Sequence, residues 1–359
     1  MKPIYVTKTF LPPIEEFVEL LKEEVWRTHL VTNDGPLFQR FEDGLRKFTG
    51  IDDLVCVGNG TLALQIAVRA LGWNGGEVVT TPFTHVAGSD CLVWEQCKPV
   101  YADIDSQTFN IDPAEIESKI TSKTKGIMGV HVYSNPCDVE AIEAIAQKHG
   151  ISVIYDGAHA FGARYKNKSL LSYGDISMTS FNATKVFHTM EGGALFCKKS
   201  KMVDDLRKLA YFGMDKEKNI TQIYGTNAKL IEVCAAMGIV NLKYFSKALE
   251  NRKATYEQYV ERLKPNNRIG FQKLTGDINY SYMPILLETE EYKLQLLKQM
   301  QENKIYPREY FNPSLETIFN EKIECKVAFD ISKRILCLPI SDYTTEEEVE
   351  EICRVINSR

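Results

Sequence analysis

The sequence predicts an α/β fold: a large domain on a mostly parallel, mixed sheet flanked by helices, then a small C-terminal α+β domain. Three observations carry this expectation. Between residues 54 and 181, short apolar runs rich in β-branched residues alternate with stretches of helical length, the pattern of crossover connections and a parallel sheet. A long helical stretch from Ala228 to about Leu263 then breaks the alternation. Beyond it, Tyr280 to Leu287 and Arg334 to Leu338 read as strands, each with a helical pattern after it.

Pro12 to Val25 opens a helix, with proline tolerated in the first turn and Ile14, Phe17, Leu20, Leu21 and Val25 on one face. Thr32 to Pro36 is a turn by composition, and Phe38, Phe41, Leu45 and Phe48 mark a second helix closed by Gly50. The alternating region has strands at 54–57, 77–80, 99–102, 126–130, 151–155 and 176–181, and Ala194 to Phe196 is a further apolar run. Its helices run from Thr61 to Leu71, Val86 to Trp94, Asp112 to Ile120 and Asp138 to His149; Asp112 and Asp138 are caps, and Gly150 is a stop. Val203 to Leu209 reads as a helix. The 228–263 stretch reads as one helix with room for a single break, and the domain boundary is placed inside it, dividing 1–245 from 246–359. Tyr292 to Gln301 and Thr345 to Ile356 are helical, the second with Glu348 placed for a capping box.

Composition excludes several classes. The formal net charge of −5 and the lack of a long basic run argue against a nucleic-acid partner. No apolar run has bilayer length, and the first residues lack a signal-peptide core, so no membrane is expected and the cytoplasm is the expected compartment. The nine cysteines are odd in number and form no Cys-x-x-Cys pair, which reads as reduced thiols. The six histidines show no His-x-x-x-His spacing, so no metal is expected.

Three stretches carry chemistry. Gly58-Asn-Gly-Thr-Leu-Ala63 follows a strand and opens a helix, so free N–H groups and the positive helix end converge on an anion site. It also fits the loose dinucleotide fingerprint. That reading needs an acidic residue at the end of the next strand, whereas Glu77 precedes that strand, so a single phosphate is the better ligand. Asp156 falls at the carboxyl end of a strand, where parallel sheets bind ligands. It reads as a partner for a pyridinium N–H and equally, taken alone, as a helix N-cap. His159 lies three residues on, one turn away if that segment is helical. Lys185 sits in Ser180-Phe-Asn-Ala-Thr-Lys-Val-Phe-His-Thr-Met-Glu-Gly-Gly193, between a strand-like run and a glycine pair. A lysine aimed into a pocket has a lowered pKa and becomes an amine nucleophile and base. In isolation it would be a solvated loop lysine; the order of anion site, strand-end aspartate and lysine is what a pyridoxal phosphate enzyme requires. Ser180 and Thr184 add hydroxyl donors.

On these residues the chain resembles the DegT-type nucleotide-sugar aminotransferases of pyridoxal phosphate fold type I. The likeness runs nearly end to end, through Thr32–Pro36, Gly58–Thr61, Thr81–Ala87, Asp156–His159, Ser180–Gly193, Gly225–Asn227 and Tyr306–Phe311. The resemblance implies that Lys185 holds pyridoxal 5′-phosphate covalently, with a pyridoxamine form in the cycle. It implies that Asp156 pairs with the ring nitrogen and that His159 stands beside the ring hydroxyl. Gly60, Thr61 and Ser180 then hold the phosphate, and His85 occupies a stacking position. Asn227 matches an asparagine reaching the phosphate from a neighbouring subunit, which implies a homodimer with shared active sites. Arg308 and Tyr310 are matched to sugar-nucleotide contacts, beside a structural role in a domain connection. The chain departs from the family pattern at His85, usually a larger aromatic, and at Asn182, often aromatic or histidine. Histidine in place of Lys185 marks related sugar dehydratases, so lysine implies amino transfer. The expected reaction moves an amino group from L-glutamate to a dTDP-linked 4-keto-6-deoxyhexose, giving a 4-amino-4,6-dideoxyhexose. Amination at C3 and a non-catalytic pyridoxal-binding paralogue are the alternatives from this side, and a nucleotide-binding dehydrogenase resting on Gly58 and Gly60 is the third.

Overall fold

The computed structural model describes residues 2–264, 266–320 and 322–358. Its central sheet has seven strands: β1 (Leu54–Val57), β2 (Glu77–Thr80), β3 (Lys98–Tyr101), β4 (Thr124–Val130), β5 (Ser152–Asp156), β6 (Ile176–Ser180) and β7 (Gly193–Cys197). Their order across the sheet is β1-β7-β6-β5-β4-β2-β3. β7 runs antiparallel to both neighbours, and the pairs from β6 to β3 are parallel. The strands are buried along almost their whole length, as a sheet covered on both faces requires.

The helices form where caps and apolar spacing coincide. Asn59 accepts from the Leu62 N–H at 2.8 Å and starts Gly60–Ala70, which buries Ala63, Leu64, Ile66, Ala67 and Val68. Asp112 and Asp138 cap their helices as expected, through the N–H groups of Ala114 and Ala141. Gly50 and Gly150 close theirs in the left-handed conformation, which glycine adopts without a Cβ penalty.

The helix Glu232–Leu263 is continuous, without the break for which the sequence left room. Its first half packs Ala235, Ala236, Met237, Val240 and Phe245 into the core that also holds Phe161, Phe181 and Phe187. Its second half packs Tyr256, Tyr259 and Leu263 over a three-stranded antiparallel sheet of β8 (Ile269–Phe271), β9 (Met283–Leu287) and β10 (Ile335–Leu338). The capping box at Thr345 is present.

The structure corrects the sequence reading in several places. The first helix is α-helical only over Ile14–Leu20 and widens into a π-helical turn at Leu21–Trp26; Ile14 is exposed. The strand expected from Tyr280 begins at Met283. Ile4–Tyr5 forms a parallel pair with Ile305–Tyr306, 301 residues away in the chain for each partner, and Ile4 is buried in the C-terminal core. A two-residue strand has too little pattern to be read locally. The helix Lys326–Arg334 was also unpredicted.

Candidate active site

The carboxyl ends of the parallel strands open onto a cavity of about 840 Å³. Each strand end delivers polar groups. The turn after β1 brings Asn59, Gly60 and Thr61; the loop after β2 brings Thr84 and His85; β5 ends on Asp156; β6 ends on Ser180.

Gly60 is required by close approach. A Cβ there would lie 2.9 Å from Met178 Cε and 3.0 Å from Ser180 Cβ. The missing side chain lets the helix start sit against Ser180, so free N–H groups and a hydroxyl converge where an anion is best held. Thr61 follows at the mouth of this cradle.

Lys185 lies in the connection between β6 and β7, fixed at both ends by the fold. Phe181 and Phe187 are buried against Phe161, with ring centroids 5.4 and 4.5 Å away. The Phe181 N–H donates to Gly192 O at 2.8 Å, and the Thr189 N–H donates to Phe181 O at 2.9 Å. Inside the loop, Asn182 Oδ1 accepts from the Thr184 N–H and hydroxyl at 3.0 and 2.8 Å, while its Nδ2 donates to Glu191 Oε1 at 2.6 Å. Asn182, a departure at the sequence level, is thus the tie of the lysine loop. An N-terminal strap also crosses it: Thr9 Oγ1 donates to Ala183 O at 2.8 Å, and His188 Nε2 bonds Phe10 O at 2.6 Å. No signal in the sequence joins residues 9 and 10 to this loop.

Burial sets the electrostatics. It pushes the Lys185 amine down, against the nearby Asp156 charge, which raises it. It pushes the Asp156 carboxyl up, against the Ala158 N–H and the nearby Lys185 and His85. Asp156 Oδ1 accepts that N–H at 2.9 Å, and Oδ2 has no partner among the described residues. No helix starts here, so the N-cap alternative for Asp156 falls, and His159 comes near through a turn rather than a helical one. A buried carboxylate with a free oxygen is costly alone and suits a cationic N–H. His159 is buried and held well below its usual range by desolvation; its Nδ1 has no partner among the described residues. These unmet groups and the anion cradle fit pyridoxal phosphate.

His85 lines the cavity from an exposed position, its Nδ1 accepting from the Ala87 N–H at 3.2 Å. Arg308 and Tyr310 line a second cavity of about 310 Å³, which shares Thr184, Lys185, Tyr282 and Tyr310 with the first. The Arg308 backbone is paired with Cys337, and its exposed guanidinium has no partner among the described residues. Asn227 is not brought to this cavity. It lies exposed beside Tyr211, at the end of a segment that exposes Ile220, Ile223 and Tyr224. Sequence reasoning missed Tyr282 and Phe311, aromatic lining residues from the C-terminal part of the chain. Among the described residues no acidic, histidine and cysteine cluster could hold a metal, and no helix is long and apolar enough to cross a membrane.

The profile of the DegT/DnrJ/EryC1/StrS aminotransferase family matches residues 14–357. A dTDP-4-amino-4,6-dideoxy-D-glucose transaminase of Shigella dysenteriae is 41% identical over 365 residues, covering 99% of this chain and 98% of that protein. The solved structure of DesI in the presence of its TDP-sugar product superposes with a TM-score of 0.94 at 25% identity, over 100% of this chain and 93% of that one. NtdA from Bacillus subtilis, solved with bound cofactor PMP, gives a TM-score of 0.87 at 26% identity, over 96% and 82%.

Proposed function

The chain belongs to the DegT/DnrJ/EryC1/StrS aminotransferase family and is a pyridoxal-phosphate-dependent enzyme, and on that premise we propose that it aminates C4 of a dTDP-linked 4-keto-6-deoxyhexose with L-glutamate as donor. The carrying observation is the half-buried Lys185 placed with Asp156 and the Gly60 cradle in one cavity. The identity to the Shigella dysenteriae transaminase supports C4 and the dTDP group.

When bound, the cofactor supplies an electron sink and carries the amino group between two substrates. The chain's part is to hold and steer it. Gly60, Thr61 and Ser180 would hold its phosphate, Asp156 would keep its ring nitrogen protonated, and His159 would meet its ring oxygen. His85, which lines the same cavity, would face the ring. Lys185 would be the covalent anchor and also the base: burial favours its neutral amine, which would take the donor's α-proton. The same amine would deliver a proton to the sugar carbon that receives nitrogen in the second half of the cycle. Arg308 and Tyr310, in the adjoining cavity, take the sugar nucleotide, since a guanidinium pairs well with phosphate oxygens.

The reading takes residues 1–245 as the cofactor-binding domain and 246–359 as the small domain, supported by the two cores along the Glu232–Leu263 helix; Ile4 crosses into the second. It takes the working form as a homodimer, with Asn227 completing the partner's phosphate site. The exposed Ile220, Ile223 and Tyr224 beside Asn227 support this. Nine unpaired thiols fit the cytoplasm.

The test is direct. Protein loaded with pyridoxal phosphate is given L-glutamate and dTDP-4-keto-6-deoxy-D-glucose, and products are read by mass spectrometry and NMR. A dTDP-4-amino-4,6-dideoxyhexose with an equivalent of 2-oxoglutarate is expected. An amine at C3, or no nitrogen transfer to any nucleotide-linked keto sugar, would overturn the assignment.

A further inference from the structure

His159 is clamped by residues far from it in the chain. Its ring lies parallel to Phe311, with centroids 5.8 Å apart and planes at 4°, and edge-on to Tyr282 at 4.9 Å and 62°. Its carbonyl accepts from Asn279 Nδ2 at 2.6 Å, which fixes the segment bearing Tyr282 against it. Nε2 is 3.4 Å from the Tyr282 hydroxyl, while the buried Nδ1 has no partner among the described residues.

A neutral imidazole carries one proton, on one nitrogen or the other. If Nε2 carried it and donated to Tyr282, the phenolic proton and the Nδ1 lone pair would both lack partners among the described residues. If Tyr282 donates to Nε2, only the Nδ1 N–H is left unmet. Each unmet polar group costs stability, so the arrangement that leaves one rather than two is favoured. Burial holds the Tyr282 phenol protonated and His159 neutral, and Lys185 and His85 are the titratable groups that act on the imidazole.

We propose that Tyr282 is a positioning residue for the cofactor: its hydroxyl donates to His159 Nε2, puts the ring's single proton on Nδ1, and so makes Nδ1–H the donor to the cofactor's ring oxygen. This rests on the proposed reading of the cavity as the cofactor site. It gives Tyr282, from the C-terminal part of the chain, control over which nitrogen of His159 donates. A glutamine at 159 would need no such control, because its amide always offers a donor.

Two measurements test it. In cofactor-free protein labelled with 15N-histidine, the His159 signals, identified by their absence from His159→Gln, should show the proton on Nδ1. In Tyr282→Phe they should move towards a mixture of the two tautomers. A proton on Nε2 in the unsubstituted protein, or an unchanged pattern in Tyr282→Phe, overturns the proposal without reference to the cofactor. Then pyridoxal phosphate is titrated into both backgrounds, followed by absorbance. Tyr282→Phe should weaken binding about 5-fold with His159 present, the worth of one hydrogen bond, and leave His159→Gln unchanged. Equal losses in both backgrounds overturn the proposal. If the unsubstituted protein binds no pyridoxal phosphate, the cofactor reading fails, and the tautomer measurement still decides the role of Tyr282.

Discussion

The two walls of the cavity are built on different principles. The wall made by the strand ends is polar and backbone-anchored: Gly60 at a helix start, Asp156 and Ser180 as the last residues of β5 and β6, and Lys185 in a loop pinned at both ends. The opposite wall is aromatic and comes from loops of the C-terminal part, with Tyr282 edge-on to Tyr310, Tyr310 tilted against Phe311, and Phe311 stacked on His159. The first wall offers groups left electrostatically unmet, as a preorganised site does. The second offers shape and desolvation, with Arg308, whose guanidinium has no partner among the described residues, at its edge. The difference suggests that chemistry is fixed on the rigid sheet and that substrate preference is set on the loops, where side chains change without disturbing a core.

Substitutions on the two walls should therefore fail differently. The largest effect is expected from Lys185→Ala, which removes anchor and base together. Turnover should fall by at least about a thousandfold, read as amino-sugar formation, with cofactor retained only non-covalently after borohydride treatment and denaturation. Normal turnover would remove the first wall from the chemistry. Gly60→Ala should be intermediate. Its Cβ would meet Met178 Cε at 2.9 Å and Ser180 Cβ at 3.0 Å, so the helix start must retreat from Ser180. Cofactor affinity, measured by titration of cofactor-free protein, should drop about 10-fold, in line with strain of about 1–3 kcal/mol. Unchanged affinity would mean that the cradle does not hold the phosphate. Arg308→Ala should be mildest and of another kind. The backbone pairing with Cys337 survives, so the fold is kept. KM for the sugar nucleotide should rise about 10-fold, the loss of one charge-assisted contact, with kcat nearly unchanged. A fall in kcat alone would move Arg308 from substrate binding to the chemical step.

Lysine 185 shows how much of this was legible from sequence. Its neighbourhood of small and polar residues, the strand-end Asp156 and the Gly58–Thr61 turn are local patterns, each within a few residues of a strand the sequence announces. Parallel sheets bring strand ends to one edge, so local patterns sufficed to assemble the first wall. The sequence left open whether the segment from Asp156 to His159 is helical, and it is a turn. The Asp156 carboxylate turns back onto the Ala158 N–H, a local bond that competes with helix formation.

By itself the sequence determined the alternation of strands and helices, the caps at Asp112, Asp138 and Thr345, and the residues at the carboxyl edge of the sheet. These rest on periodicity and short-range hydrogen bonds, which act within a few residues. Only the tertiary structure decided that Ile4 pairs with Ile305, that Phe10 meets His188, and that Tyr282 and Phe311 close over His159. Those contacts join residues more than a hundred positions apart. Nothing in the local pattern of either partner records them; they exist because burying two cores along one helix folds the C-terminal part back onto the sheet.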